Sequence, residues 1–193
     1  MAGVLAVIAA ATFGPATAMA KKDTAPSLCP SSSFSQPFLS AGDDDWYTLV
    51  GGQTADNFDG SGWTLTDGAS VVPNDGGGNA GTVLDLPGGS TAVSPPTCVT
   101  ADYPRARTMV RDLEGSKGIK VSVEYADAGS DSWTEPKNAG RVDPEGTDWT
   151  VSDPLRLKPD KGPGLQTMRL TFDARGKSSR FQIYNLYIDP RMK

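Results

Sequence analysis

Histidine is absent from all 193 residues of this sequence. Without an imidazole there is no Ser-His-Asp or Cys-His triad, no base that titrates near neutrality by default, and no His-ligated zinc or haem. Cysteine is nearly as scarce, with two residues, and aromatic side chains make up 8%. Positive charge is in deficit: 18 Lys+Arg stand against 23 Asp+Glu, for a formal net charge of −5. That balance lacks the basic footprint that phosphate backbones and anionic lipid surfaces need, so nucleic acid and anionic membranes are not expected as partners. Long apolar runs are missing too. The run from Val4 to Ala11 falls well short of the ~20 residues of a membrane-spanning helix. Beyond it, no apolar i, i+3, i+4 pattern is sustained over three helical turns.

The first 20 residues carry no charged side chain, and Ala18-Met19-Ala20 has the small-x-small pattern of a signal-peptidase site, followed by Lys21 and Lys22. Residues 1–20 therefore read as a secretory signal peptide, and no integral membrane segment is expected after its removal. The usual positive n-region is lacking, so either the α-amino group serves in its place or the true start lies upstream. The expected location is secreted, extracellular or at the cell surface. There an even cysteine count favours a disulfide, Cys29 with Cys98. Closing that loop would add about 4 kcal/mol on the chain-entropy account. The alternative, a reactive thiol, has no imidazole to activate it.

What the chain does have is punctuation, with 22 Gly and 15 Pro, and between them short runs rich in Val, Thr, Leu, Tyr and Trp. These runs predict strands at Trp46 to Val50, Trp63 to Thr66, Ala69 to Val72, Thr82 to Leu86, Thr91 to Val93, Ala106 to Leu113 and Ile119 to Ala126. Four more follow at Ser132 to Glu135, Trp149 to Leu157, Leu165 to Ala174 and Arg180 to Asp189. Ile119, Val121, Val123 and Tyr125 alternate with Lys120, Ser122 and Glu124, and Met168, Leu170 and Phe172 alternate with Thr167, Arg169 and Thr171. Each such strand has one apolar and one wetted face. The expected fold class is all-β: an antiparallel two-sheet β-sandwich of the jelly-roll type. Residues 21–37 read as an extended Ser/Pro-rich arm and 38–193 as a single domain. Pro73 to Gly81 reads as the most flexible loop, and Pro136 to Asp148 as a second long polar loop.

Sugars are held in water by an aromatic ring under the apolar sugar face, with carboxylates, amides or Arg around the hydroxyls. The candidates for this task are Trp133 with Glu135 and Asn138, and Tyr103 with Arg105 and Arg107. Trp46, Trp63 and Trp149 open strands and read as sandwich core. Arg107, Met109 and Arg111 share one strand face, and Lys120, Ser122 and Glu124 share the polar face of the next run. These describe either a solvated surface with weak cross-strand ion pairs or a concave sugar-binding face. A glycosidase would need two carboxylates about 5 to 10 Å apart, one with a raised pKa. Glu124 and Asp127 would face opposite sides of a strand, and Asp43-Asp44-Asp45 reads as a polar turn, so no catalytic residue is expected.

The order Cys29, Gln36-Pro37-Phe38-Leu39, Asp45-Trp46-Tyr47-Thr48-Leu49, Gly51-Gly52, Gly62-Trp63-Thr64-Leu65, Gly68-Ala69-Ser70-Val71-Val72, Leu84-Asp85-Leu86-Pro87-Gly88-Gly89-Ser90, Ser94-Pro95-Pro96, Cys98-Val99 and Tyr187-Ile188-Asp189-Pro190-Arg191 resembles secreted actinobacterial proteins of undefined function. The opening Gly-Trp strand and the closing apolar strand also resemble carbohydrate-binding modules with a galactose-binding-like jelly roll. That resemblance implies a structural calcium between the early segment and the last strand, here Asp56, Asn57, Asp59 and Asn185. At the last strand Tyr184-Asn185 replaces the family-like Asp-Asp, which reduces a carboxylate to an amide oxygen. The alternative makes Asp56 and Asp59 turn residues and Asn185 a hydrogen-bonded core amide. The functional expectation is a secreted, non-catalytic binding module for a cell-envelope or environmental glycan. The alternative is a cell-surface structural or protein-interaction domain whose partner is a surface protein, with a glycan-active enzyme third.

Overall fold

The computed structural model describes residues 33–78, 80–102, 104–115, 117–126, 132–144, 146–160, 162 and 164–189. In chain order the strands are β1 (Phe34–Ser35), β2 (Tyr47–Leu49), β3 (Thr64–Thr66), β4 (Ser70–Pro73), β5 (Thr82–Pro87), β6 (Thr91–Val93) and β7 (Thr97–Val99). They continue as β8 (Arg105–Glu114), β9 (Ile119–Tyr125), β10 (Lys137–Val142), β11 (Thr150–Val151), β12 (Leu155–Arg156), β13 (Gln166–Ala174) and β14 (Arg180–Asp189). Among the described residues the sole helical piece is a 3-10 turn, Leu39–Ala41, and no helix is long and apolar enough to cross a membrane.

Every strand pair is antiparallel, and each sheet is organised around one long strand. In the first sheet β14 pairs along one side with β8, and along the other with β5 and then β2. β1 and β4 extend this sheet, and β11 and β12 line the far side of β8. In the second sheet β13 pairs with β9 on one side and with β6 and β7 on the other, while β10 and β3 form the edges. The two sheets close a sandwich of the jelly-roll type. Its core joins Val121, Val123, Met168, Leu170 and Phe172 to Leu84, Val110, Phe181, Ile183 and Ile188. Each large side chain fully withdrawn from water here is worth about 1.5 to 3 kcal/mol.

The alternation read from β9 and β13 is the alternation observed. On β14 the inward set changes phase, from Phe181 and Ile183 to Leu186 and Ile188. One extra residue is needed for that change, and it is Asn185, left-handed at φ 54°, where the ladder with β8 shifts register. The Gln53 side chain completes the bulge: its amide donates to the Leu186 carbonyl at 3.0 Å and accepts from the Leu186 N–H at 3.2 Å.

Several expectations are corrected. The polar loop expected over Pro136 to Asp148 begins as β10, which buries Ala139 and Val142 against β9. A bulge between Asn138 and Gly140 breaks the two-residue period that marks a strand. The run from Trp149 to Leu157 is two short strands, because Pro154 has no N–H to continue the ladder with β8. Ser132 to Glu135 forms one isolated bridge, Trp133 to Ala126. Phe34–Ser35, assigned to the arm, and Thr97–Val99 are strands. Most consequentially, β8 and β9 belong to different sheets, so Arg107 and Arg111 do not share a face with Lys120 and Glu124. The chain crosses between sheets through Gly118, at φ 64°, where a β-carbon would come within 2.0 Å of the Asp143 carboxylate.

The sheet margins are short or interrupted. β1, β11 and β12 have two residues each and β3 has three, β4 ends in Pro73, and β10 carries the bulge.

Candidate functional site

The two outer faces of the sandwich differ in kind. That of the first sheet is roofed. Phe38, Tyr47 and Tyr187 pack with Leu49, Met109 and Val151, and beside them Ala80, Val83 and Tyr184 pack with Val72 and Trp149. Polar groups under this roof are held in networks. Arg111, 4% exposed, donates through Nε to Gln182 at 2.9 Å, pairs with Asp75, and stacks on Trp149. Gln182 in turn donates to Asp85, which also holds Arg180. The loop expected to be the most flexible is pinned to this face. The Asn74 amide bonds the carbonyls of Gly77 and Ala80, and at Gly76 a β-carbon would collide with the Arg111 guanidinium.

Arg107 belongs to the same roof. Its guanidinium donates to Asp43 at 2.5 Å and to the Ser152 carbonyl at 2.9 Å, and it lies over the Phe38 ring. Asp43 also accepts from the Tyr47 hydroxyl at 2.7 Å. Burial acts to raise the Asp43 carboxyl, but the hydrogen bonds from Tyr47, Arg107 and the Asp45 N–H outweigh it and hold Asp43 below its ordinary value. Burial and the adjacent Asp43 carboxylate push the Tyr47 hydroxyl well above its usual range.

The outer face of the second sheet is the polar one. Register places Asn138, Ser122, Thr171, Val93 and Thr64 in one row across five strands. A parallel row holds Lys120, Asp173, Thr91 and Thr66, in which the Thr91 hydroxyl donates to Asp173 at 3.1 Å. Five strands at ~4.8 Å spacing make this face roughly 19 Å wide. At its head Arg169 forks onto Glu124, with Nε and Nη2 each 3.0 Å from a carboxylate oxygen. The same guanidinium lies 4.3 Å from the centre of the Trp133 ring. Trp133 stands on this face because it bridges Ala126, two residues beyond Glu124. A bidentate pair stacked on an indole fixes all three side chains in one arrangement.

The expected site residues are thus divided between surfaces. Trp133 is half-buried on the second sheet, and Glu135 is exposed beside it in the chain. Asn138 is exposed, with its side-chain oxygen accepting from the Gly140 N–H inside the β10 bulge. Arg105 and Arg107 lie on the first sheet, Arg105 beside Asp45 at 3.5 Å. Tyr103 and Cys29 lie outside the described residues. Among the described residues no cysteine is free. Trp63 is core, as expected, and Trp149 is half-buried. Trp46 is not core: it is 57% exposed. Sequence reasoning missed the joining of Trp133 to Arg169 and Glu124, because the outward phase of each strand is readable and their adjacency is not.

Calcium at Asp56, Asp59 and Asn185 remains an expectation from the sequence. Asp59 accepts from the Ser61 N–H at 2.6 Å in its own turn, Asp56 is exposed, and Asn185 has a buried oxygen without a hydrogen-bond partner. No three His, Cys, Asp or Glu side chains converge among the described residues.

No family model and no curated protein matches this chain. Among solved structures, the chain is similar to the xylan-binding domain CBM22-1 of Paenibacillus barcinonensis Xyn10C, at 14% identity and TM-score 0.47, covering 68% of this chain and 88% of that one. It is also similar to a family 11 carbohydrate-binding module from Clostridium thermocellum, in complex with a mixed-linked tetrasaccharide, at 12% identity and TM-score 0.43, covering 68% and 91%. A third, TmCBM61 in complex with beta-1,4-galactotriose, gives 14% identity and TM-score 0.43, covering 68% and 90%.

Proposed function

We propose that this protein is a glycan-binding module, without catalysis, that works through the outer face of its second sheet. The observation that carries this reading is the unit of Trp133, Arg169 and Glu124 at the head of a row of hydroxyl side chains. Sugars present apolar C–H faces and rings of hydroxyls. A fixed indole suits the first, while a held carboxylate, a guanidinium and threonine hydroxyls suit the second. Because the three side chains are already mutually constrained, little rotamer freedom is lost on binding, which lowers the cost of association. Both Glu124 carboxylate oxygens are engaged by the Arg169 guanidinium at 3.0 Å, which holds the carboxylate in place beside the indole.

Affinity electrophoresis of the soluble protein through a panel of polysaccharides tests this. Retardation by at least one glycan is expected, with Trp133→Ala weakening it about tenfold or more while the melting midpoint stays within a few degrees. Absence of retardation across a broad panel would overturn the reading. Crosslinked surface proteins without glycan binding would favour the alternative, a protein-interaction domain. Turnover of a glycoside lost in a single Glu or Asp variant would make it an enzyme. Secretion through residues 1–20 and a Cys29 to Cys98 disulfide belong to the same proposal, since a glycan-binding module meets its ligand outside the cell.

A further inference from the structure

We propose that the cleft between Arg105 and Arg156 on the first sheet is an anion site, taking the carboxylate or sulfate group of an acidic saccharide. Arg105 on β8 and Arg156 on β12 are directly opposite partners in an antiparallel ladder. Their side chains therefore leave the same face with β-carbons about 5 Å apart. Like charges so placed repel and weaken the pair of strands they sit on. Arg105 is answered by Asp45 at 3.5 Å, and the buried Asp189 is its partner across β14. Arg156 is exposed and forms no ion pair or hydrogen bond among the described residues. One guanidinium fork is thus held in place while the other points its donors at solvent beside it.

These two arginines line a cleft of about 550 Å³, together with Pro104 and Pro154. That volume lies within the ~300 to 1,000 Å³ usual for small-ligand sites. The prolines fix the backbone just before each arginine strand and supply apolar walls, while the arginines supply a planar array of donors matched to oxyanions. The protein's net negative charge does not forbid this, because acids beyond about 8 Å are screened at physiological salt, and of the acids nearer by Asp45 is engaged with Arg105, which leaves the Arg156 charge to face the cleft. That the ligand is a sugar rests on the glycan-binding reading above; the anion site itself does not, since it occupies the other sheet.

Titration calorimetry on the whole soluble protein at low salt tests the proposal with an oligouronate, the same oligosaccharide as its neutral methyl ester, a sulfated disaccharide and inorganic sulfate. The oligouronate or the sulfated sugar is expected to bind, and the better of the two names the anion. The methyl ester should be weaker by about tenfold or more. Arg156→Ala should cost about tenfold in affinity for the acidic sugar, and Arg156→Lys less, since lysine keeps the charge and loses the fork. Arg156→Ala should not lower the melting midpoint, because removing the Arg156 charge relieves a like-charge pair. Equal binding of acid and ester, no effect of Arg156→Ala, or no acidic ligand bound at millimolar concentration would each overturn the site. A protein that loses neutral glycans through Trp133→Ala but never responds to Arg156→Ala would keep the second-sheet reading and remove this one.

Discussion

Asp43 shows how much the neighbourhood of a side chain decides. Within an acidic triplet that reads as a solvated turn, this one carboxylate is held by Arg107 at 2.5 Å and by Tyr47 at 2.7 Å, and it anchors the roof over the first sheet. Its folded-state pKa lies below the ordinary value near 3.8. The stabilisation it contributes is therefore complete above the unfolded value and is lost as pH falls through the lower folded one. Asp43→Asn should cost about 1 to 3 kcal/mol at pH 6, since it leaves Arg107 without its counter-charge in a half-buried place. In urea melts the gap between wild type and variant should shrink as pH is taken below about 4. A gap that stayed constant from pH 6 to pH 3 would show that the charge on Asp43 contributes nothing. Arg107, a candidate for sugar contact by its strand position, is engaged in this network instead.

The strands that sequence reasoning located are those whose apolar residues keep step, such as Met168, Leu170 and Phe172 or Ile119, Val121 and Val123. β10 escaped because Asn138 and Gly140 look like turn residues, and the bulge between them puts Ala139 and Val142 three apart rather than two or four. Trp46 was assigned to the core from its place at a strand start, yet the ladder of β2 begins one residue later, at Tyr47. Sheet order was not readable at all. That β9 pairs with β13 and not with β8 is what joins Glu124 to Arg169, and it depends on a crossover through glycines rather than on any periodic signal. The β14 bulge yields a test of its own. Asn185 pays a left-handed backbone cost of about 1 kcal/mol and leaves its side-chain oxygen unpartnered, so Asn185→Gly should raise the melting midpoint by a few degrees. The gain should be the same with and without a calcium chelator. If the chelator lowers the wild-type midpoint and not that of Asn185→Gly, the bulge oxygen is a calcium ligand and the ligand set is wider than its carboxylates.

For the chain as a whole, the covalent link is the test with the largest expected effect. If Cys29 and Cys98 are joined, alkylation without reductant should leave the mass of the protein unchanged, and reduction should then expose two thiols. Reduction should also lower stability by up to about 4 kcal/mol, read from urea melts. Two thiols alkylated without reductant would end the proposal. Composition had already closed off imidazole chemistry; the arrangement of the remaining polar residues into one roofed face and one open face is what the structure adds.

The short, broken sheet margins decide how this molecule can meet others. β1 offers two residues, β3 three, β4 stops at a proline and β10 is kinked by its bulge. Among the described residues, an incoming peptide that tried to extend either sheet would meet edge strands of two to six residues, interrupted by Pro73 in β4 and by the bulge in β10, and such edges also disfavour stacking of the folded protein on its own copies. For the binding proposed above, the contacts are then to be sought among side chains on the flat of the sheets rather than along their edges.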